Sequence, residues 1–212
     1  MEALIFDWSG TIYDNVQDFY TQFVVQMFQL HNKTPISFQE FQENFTIPYM
    51  RFWNKYFPTL TKEEQNALYK KLMPHDCGKP YPDVGKTLSK LREKGIRMFV
   101  VSSDSGQKMM HQAQEHGLSD FFEETYCDIY DKDKKLMEIM QTHTLRAKQT
   151  AYMGDTIGDI EAAHAAGVIS IAHTQGFQHR AVLQNVNPDF CIDRFGQLLD
   201  LIDQKKSPNP FC

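Results

Sequence analysis

The sequence predicts a doubly wound α/β protein: a parallel sheet with helices on both faces and a small all-helical insert after the first strand. Two observations predict the sheet. Short apolar runs at Ala3 to Phe6, Ile96 to Val101, Thr150 to Met153 and Ile169 to Ala172 are too brief for helices and right for buried strands. From Asp83 onward such runs alternate with helical patterns, the rhythm of a sheet covered on both sides. A third observation predicts the insert, because residues 15–82 show helical spacing with no convincing strand.

In order, the first run ends at Asp7, and Gly10-Thr11 reads as a tight turn. Phe19, Phe23, Val24, Met27, Phe28 and Leu30 then recur at helical spacing, up to His31-Asn32-Lys33 before Pro35. Ser37 with Glu40 is a capping-box pattern opening a second helix. Pro48 suits the first turn of a third, over Tyr49 to Phe57, and Thr61 with Glu64 caps a fourth through Leu72. The segment His75 to Pro82 breaks the pattern. Val84, Leu88 and Leu91 mark a helix ending at Gly95, and helix 107–116 ends at Gly117. A short strand is expected within Phe121 to Tyr126, then helices 132–143 and 157–166, the latter ending at Gly167. A helix from Gln178, a strand at Phe190 to Ile192 and a helix from Arg194 to Ile202 complete the pattern. The expected organisation is therefore a core of residues 1–14 and 83–204, a helical cap of residues 15–82, and a frayed tail of residues 205–212.

A chain of 212 residues has room for a substantial core. Its 23% charged and 13% aromatic residues fit an ordinary globular protein rather than a disordered one. A formal charge of −5 and the lack of a basic run argue against nucleic acid as a partner. No stretch approaches the ~20 apolar residues of a membrane span, and the chain opens on a strand rather than a basic-then-apolar leader. Cys77, Cys127, Cys191 and Cys212 lack metal-ligand spacing and are expected as free thiols in a reducing compartment. The expectation is a cytoplasmic monomer or homodimer.

Asp7, Ser102 or Ser103, Lys132 and Asp155 each lie at or soon after the carboxyl end of an expected strand, where open α/β sheets bind ligands. Asp7, Asp155 and Asp159 would repel one another in a small space, so a hard cation held by oxygen is implied, most simply Mg²⁺. Lys132 adds positive charge, with Lys134 and Lys135 as alternatives in the same run. A cation, a lysine and hydroxyl and N–H donors around a carboxylate form a phosphate site with a nucleophile inside it.

These residues resemble the haloacid dehalogenase-like hydrolases, in their phosphoglycolate-phosphatase-like branch with a Rossmann-like core. The family pattern is D-x-D-G-T, a later Ser or Thr, a Lys, and G-D-x-x-x-D. It is matched here by Asp7-Trp8-Ser9-Gly10-Thr11, Ser102, Lys132 and Gly154-Asp155-Thr156-Ile157-Gly158-Asp159. The resemblance implies a small phosphorylated substrate and an aspartyl-phosphate on Asp7, later cleaved by water. It implies Mg²⁺ held by Asp7, the Ser9 backbone carbonyl and Asp155, with Asp159 touching the ion or one of its ligands. Ser102 (or Ser103) and Lys132 would hold the phosphoryl oxygens.

One position departs from the pattern. The family's general acid and base, the second Asp, is Ser9 here. General acid–base catalysis is worth roughly 10²–10⁴-fold, so alkyl phosphate hydrolysis should suffer by about that factor. Three functions accommodate Ser9. One is a phosphatase whose leaving-group proton is unneeded or comes from elsewhere, with Tyr49, Lys55 or His75 of the cap as candidates. Another is a carbon–phosphorus hydrolase resembling phosphonoacetaldehyde hydrolases, whose first motif is D-W-A-G-T and whose cap lysine forms a Schiff base after a Met-Gly pair; here Lys55 follows Met50 one residue late and without the glycine. The last is a phosphate- or partner-binding protein without turnover.

Overall fold

A computed structural model describes residues 1–47, 49–73 and 77–203. Pro48, His75 and the tail 205–212, each given a role above, lie outside the described residues. The chain opens with β1 (Ala3–Phe6), every residue of it buried. A turn follows in which the Trp8 carbonyl accepts from the N–H groups of Thr11, Ile12 and Tyr13, with Gly10 at φ +75°. β2 (Tyr13–Asp14) leads into α1 (Val16–Phe19), a π-turn over Tyr20–Val24 and α2 (Val25–Leu30). α3 (Phe38–Asn44), α4 (Met50–Tyr56) and α5 (Lys62–Leu72) follow. Ser37 and Thr61 cap α3 and α5 as their spacing requires, the latter with a full reciprocal capping box.

One pairing escaped the sequence pattern. β3 (Lys79–Pro80) runs antiparallel to β2, with Tyr13 opposite Pro80 and Asp14 opposite Lys79. Where the helical segment was expected to hold no strand, this ribbon joins its two ends; two-residue strands carry no periodicity to read.

Helices and strands then alternate: α6 (Val84–Glu93), β4 (Arg97–Val101), α7 (Gly106–Glu115), β5 (Glu124–Tyr126), α8 (Lys132–Thr142), β6 (Thr150–Gly154) and α9 (Ile157–Ala166). They end with β7 (Ile169–His173), α10 (Arg180–Gln184), β8 (Phe190–Ile192) and α11 (Gln197–Asp203). Two expected helices start late. α10 begins after Gln178, whose side chain bridges two other segments, and α11 follows a turn in which the Gln197 side chain accepts from the Asp193 and Arg194 N–H groups.

The six-stranded parallel sheet has the order β5-β4-β1-β6-β7-β8. Side-chain alternation splits its core. Leu4, Phe6, Met98 and Val100 pack against α6, α7 and α11, whereas Ala3, Ile5, Phe99 and Val101 pack against α8 and α9. The helical segment has its own aromatic core around Phe23, Phe41, Phe52 and Trp53, joined by Phe177 from the loop after β7. Chain order runs outward in both directions from β1, which makes the carboxyl end of β1 the topological switch point, where open α/β sheets bind ligands.

Candidate active site

Asp7 stands at that switch point. Phe6 pairs with Val100 on β4 and Met153 on β6, so one residue further on Asp7 faces the ends of both neighbours. Its N–H donates to the Met153 carbonyl at 2.8 Å, and its Oδ1 accepts from the Trp8 N–H at 2.8 Å. Trp8 is itself locked, fully buried with its indole N–H donating to Gln112 Oε1 at 2.7 Å. The Asp7 carboxylate therefore has little freedom.

Lys132, the first residue of α8, places its ammonium 3.0 Å from Asp7 Oδ2 and 2.7 Å from Asp159 Oδ1. Lys134 and Lys135, the alternatives, pair instead with Asp131 and Glu138. Asp7, Asp155 and Asp159 are all buried, and one oxygen of each lies within 4.8 Å of the others. Glycines make this crowding possible. A Cβ on Gly10 or Gly176 would come within 2.2 Å of Asp155 Oδ2, and one on Gly154 within 2.3 Å of Asp159 Cβ.

The carboxylates differ in how their oxygens are occupied. Asp159 Oδ1 accepts from Lys132 and from the Tyr152 hydroxyl at 2.9 Å, while Oδ2 accepts from the Thr156 N–H at 3.0 Å and its hydroxyl at 2.6 Å. A carboxylate has about four lone-pair sites, so this set fills Asp159. Asp155 has one partner on each oxygen, the Phe177 N–H at 2.6 Å and the Thr11 hydroxyl at 3.2 Å. Asp7 is similar, and both keep lone pairs for a further ligand.

Titration follows these surroundings. Burial raises Asp7 to about 7, with Lys132 opposing and the charge of Asp159 adding to the rise. Burial, then Asp159 and Asp7, drive Asp155 well above the usual carboxylate range. Burial also acts upward on Asp159, but Lys132 and the hydroxyl donors outweigh it and hold this carboxyl below its ordinary value. Lys132, although buried, is held charged by Asp159 and Asp7. One ammonium cannot balance three buried carboxylates when all are ionised. Oxygen donors of this kind with open lone pairs fit a hard divalent cation.

Ser102, at the end of β4, does not reach this cluster directly but joins a network beside it. Its hydroxyl donates to Asp104 Oδ2 at 3.2 Å, and the Ser9 hydroxyl donates to the same oxygen at 2.7 Å. Ser103 is half-buried and takes no part. Of the cap candidates, Tyr49 is half-buried with its hydroxyl on Asn66, and Lys55 is exposed and bonded to Asn44. Sequence reasoning missed Thr11, Tyr152, Phe177 and Asp104. Thr11 was visible in the first motif; Tyr152 bonds Asp159 seven positions on but from inside an apolar run, and Phe177 and Asp104 depend on distant neighbours.

Among curated proteins, the phosphoglycolate phosphatase of Aliivibrio fischeri is 30% identical over 137 residues, 62% of this chain and 60% of that protein. The chain thus spans about 60% of that relative's length. The phosphoglycolate phosphatase of Synechococcus elongatus is 26% identical over 96% of this chain and 98% of its own. Among solved structures, a haloacid dehalogenase-like hydrolase from Streptococcus pneumoniae superposes with a TM-score of 0.78 at 21% identity, covering 95% of this chain and 98% of that one, a likeness of fold. Residues 4–173, from the strand that delivers Asp7 to the strand beyond Asp159, match the profile of the haloacid dehalogenase-like hydrolases, and the chain belongs to that family.

Proposed function

We propose that the protein is a Mg²⁺-dependent phosphatase for a small phosphorylated acid such as 2-phosphoglycolate, working through an aspartyl-phosphate on Asp7. The observation that carries this is a buried carboxylate fixed on Lys132 beside two more carboxylates. Asp7 and Asp155 would hold the ion with the Ser9 backbone carbonyl; Asp159, its oxygens filled, would hold Lys132 and the start of α9 in place. Bound Mg²⁺ supplies charge neutralisation on the phosphoryl oxygens. Asp7 forms the bond to phosphorus as the ester oxygen leaves, and water then cleaves the acyl phosphate. Lys132, with Ser102 or Ser103, binds phosphoryl oxygens. Residues 15–82 act as the cap that closes over the substrate and excludes water.

The test is hydrolysis of 4-nitrophenyl phosphate and 2-phosphoglycolate with Mg²⁺. Turnover is expected in the wild type and is lost in Asp7→Asn. A protein that binds inorganic phosphate with Mg²⁺ but turns over neither ester would instead be a non-catalytic binder, the reading that Ser9 favours. The carbon–phosphorus hydrolase reading has weaker support, since Lys55 is exposed and engaged by Asn44.

A further inference from the structure

A carboxylate from beyond another strand stands beside Ser9. Asp104, in the turn after β4, reaches the Ser9 hydroxyl from 95 positions away in the chain and accepts its proton at 2.7 Å. Asp104 is fixed where it stands. Its N–H donates to Ser102 Oγ at 3.1 Å, its Oδ2 accepts from that same hydroxyl, and its carbonyl accepts from the Asp128 N–H at 2.9 Å. Ser9 is fixed from the other side, because Asn15 Nδ2 donates to Ser9 Oγ at 3.0 Å. A serine hydroxyl has one proton and two lone pairs. The proton is committed to Asp104 and one lone pair to Asn15, which leaves a single acceptor site on Ser9. Beside it, buried Asn15 Oδ1 has no partner among the described residues. A buried acceptor without a partner is destabilising, and a donor arriving with substrate or water would relieve that cost.

The geometry points to Asp104 as the acid–base group of this enzyme, acting through the Ser9 hydroxyl. The inference rests on the phosphatase reading above. In the second half-reaction, the attacking water gives one proton to Ser9 Oγ as the Ser9 proton passes to Asp104 Oδ2. The water oxygen bonds to phosphorus, the bond from phosphorus to the Asp7 oxygen breaks, and that electron pair returns to Asp7. Inorganic phosphate leaves, and Asp104 is left as the neutral carboxyl. In the next first half-reaction that proton returns through Ser9 to the departing ester oxygen, so the cycle closes without another donor. Asp104 is thus a positioning and proton-holding residue, with Ser9 as the group that meets the reacting atoms.

Among the described residues, the charged and titratable groups around Asp104 include Asp7, Cys127, Asp128 and, from α5, Tyr69, which also meets Lys108 of α7. Tyr69 belongs to the helical segment, so this corner lies where the proposed cap meets the core.

The test separates the two half-reactions with 4-nitrophenyl phosphate, whose leaving group needs little protonation. Asp104→Asn, nearly isosteric, is expected to slow steady-state turnover by about 10²–10⁴-fold. It should also accumulate a protein heavier by one phosphoryl group when the reaction is quenched in acid. Ser9→Ala, which keeps Asp104 but cuts the relay, should accumulate the same species. Ser9→Asp introduced into Asp104→Asn should restore turnover, whereas Ser9→Asp alone should add little to the wild type; a merely structural Asp104 would instead let Ser9→Asp alone raise turnover. Wild-type turnover in Asp104→Asn, or a slowed variant with no accumulated phosphoprotein and no rescue, would overturn the inference. A wild-type protein that releases no nitrophenol with Mg²⁺ would overturn the phosphatase reading, and this inference with it.

Discussion

His173 is a buried histidine at the end of β7 whose Nδ1 lies 2.9 Å from the Gly10 carbonyl and whose Nε2 has no partner among the described residues. Burial lowers its pKa to about 4; the bond to Gly10 and the charges of Asp83 and Asp193 only partly oppose this. Its neutral form therefore donates to the turn that follows Asp7. In the unfolded chain the same group titrates near 6.5. Between these values the unfolded state binds a proton that the folded state refuses, so stability falls as pH drops from 6.5 toward 4. At pH 5 the loss from this residue is about 2 kcal/mol. A His173→Gln variant should show a urea midpoint less sensitive to pH between 7 and 5 than the wild type; equal sensitivity would mean that His173 is not the group. Gly176 makes a steric prediction. An added methyl would sit 2.2 Å from Asp155 Cβ, so Gly176→Ala should cost about 1–3 kcal/mol and weaken Mg²⁺ binding measured by titration calorimetry.

Between β7 and α10, residues 176–179 tie the helical segment to the acidic cluster. The Phe177 ring lies 4.8 Å from Phe45 and 5.3 Å from Phe19, while its N–H donates to Asp155. Gln178 donates to the Phe45 carbonyl at 2.6 Å and accepts from the Ile157 N–H that opens α9. Gln42 on α3 donates to the Gly176 carbonyl at 2.9 Å. Removing the Phe177 ring should destabilise the protein by about 3–5 kcal/mol in urea unfolding and, by freeing the loop, loosen Asp155. This loop also marks the boundary of what the sequence discloses. The strands that lead to Asp7, Ser102 and Asp155 were legible because a short, mostly apolar run followed by a turn is a local signal. The helices were legible from spacing and caps, and the acidic cluster from carboxylates at the ends of those strands. Gln178 read as a helix start, and Phe177 carried no signal of its contacts, because their partners Phe45 and Ile157 lie far away in sequence. Asp104 carried no local signal, since its nearness to Ser9 exists only once β1 and β4 pair. Tyr152 sat in an apolar run that gave no hint of its hydroxyl bonding Asp159.

At the scale of the whole molecule, two hydrophobic cores meet over a site that their burial makes electrostatically expensive. The sheet core buries Asp7, Asp155 and Asp159 together, with Lys132 as the cation paired to them among the described residues. Burial raises Asp155 far above its unfolded value, so without metal its stability contribution falls as pH rises above about 4. At neutral pH the metal-free protein carries that cost. Asn in its place carries no charge to desolvate, and it keeps the two hydrogen bonds. Its carbonyl accepts from the Phe177 N–H, and its amide donates to Thr11, whose hydroxyl can turn to accept. Asp155→Asn should therefore melt higher than the wild type when both are metal-free at pH 7. Addition of Mg²⁺ reverses the order. At about a hundredfold excess over its dissociation constant, a ligand of the folded state adds about 2.7 kcal/mol. For a chain of this size that raises the wild-type melting temperature by about 5–10 °C. The variant, lacking one of the two carboxylates with open lone pairs, should shift little. Thermal melts of both proteins with EDTA and with Mg²⁺ give four numbers. A wild type unmoved by Mg²⁺, or a variant that moves equally, would mean that this acidic cluster is not the metal site.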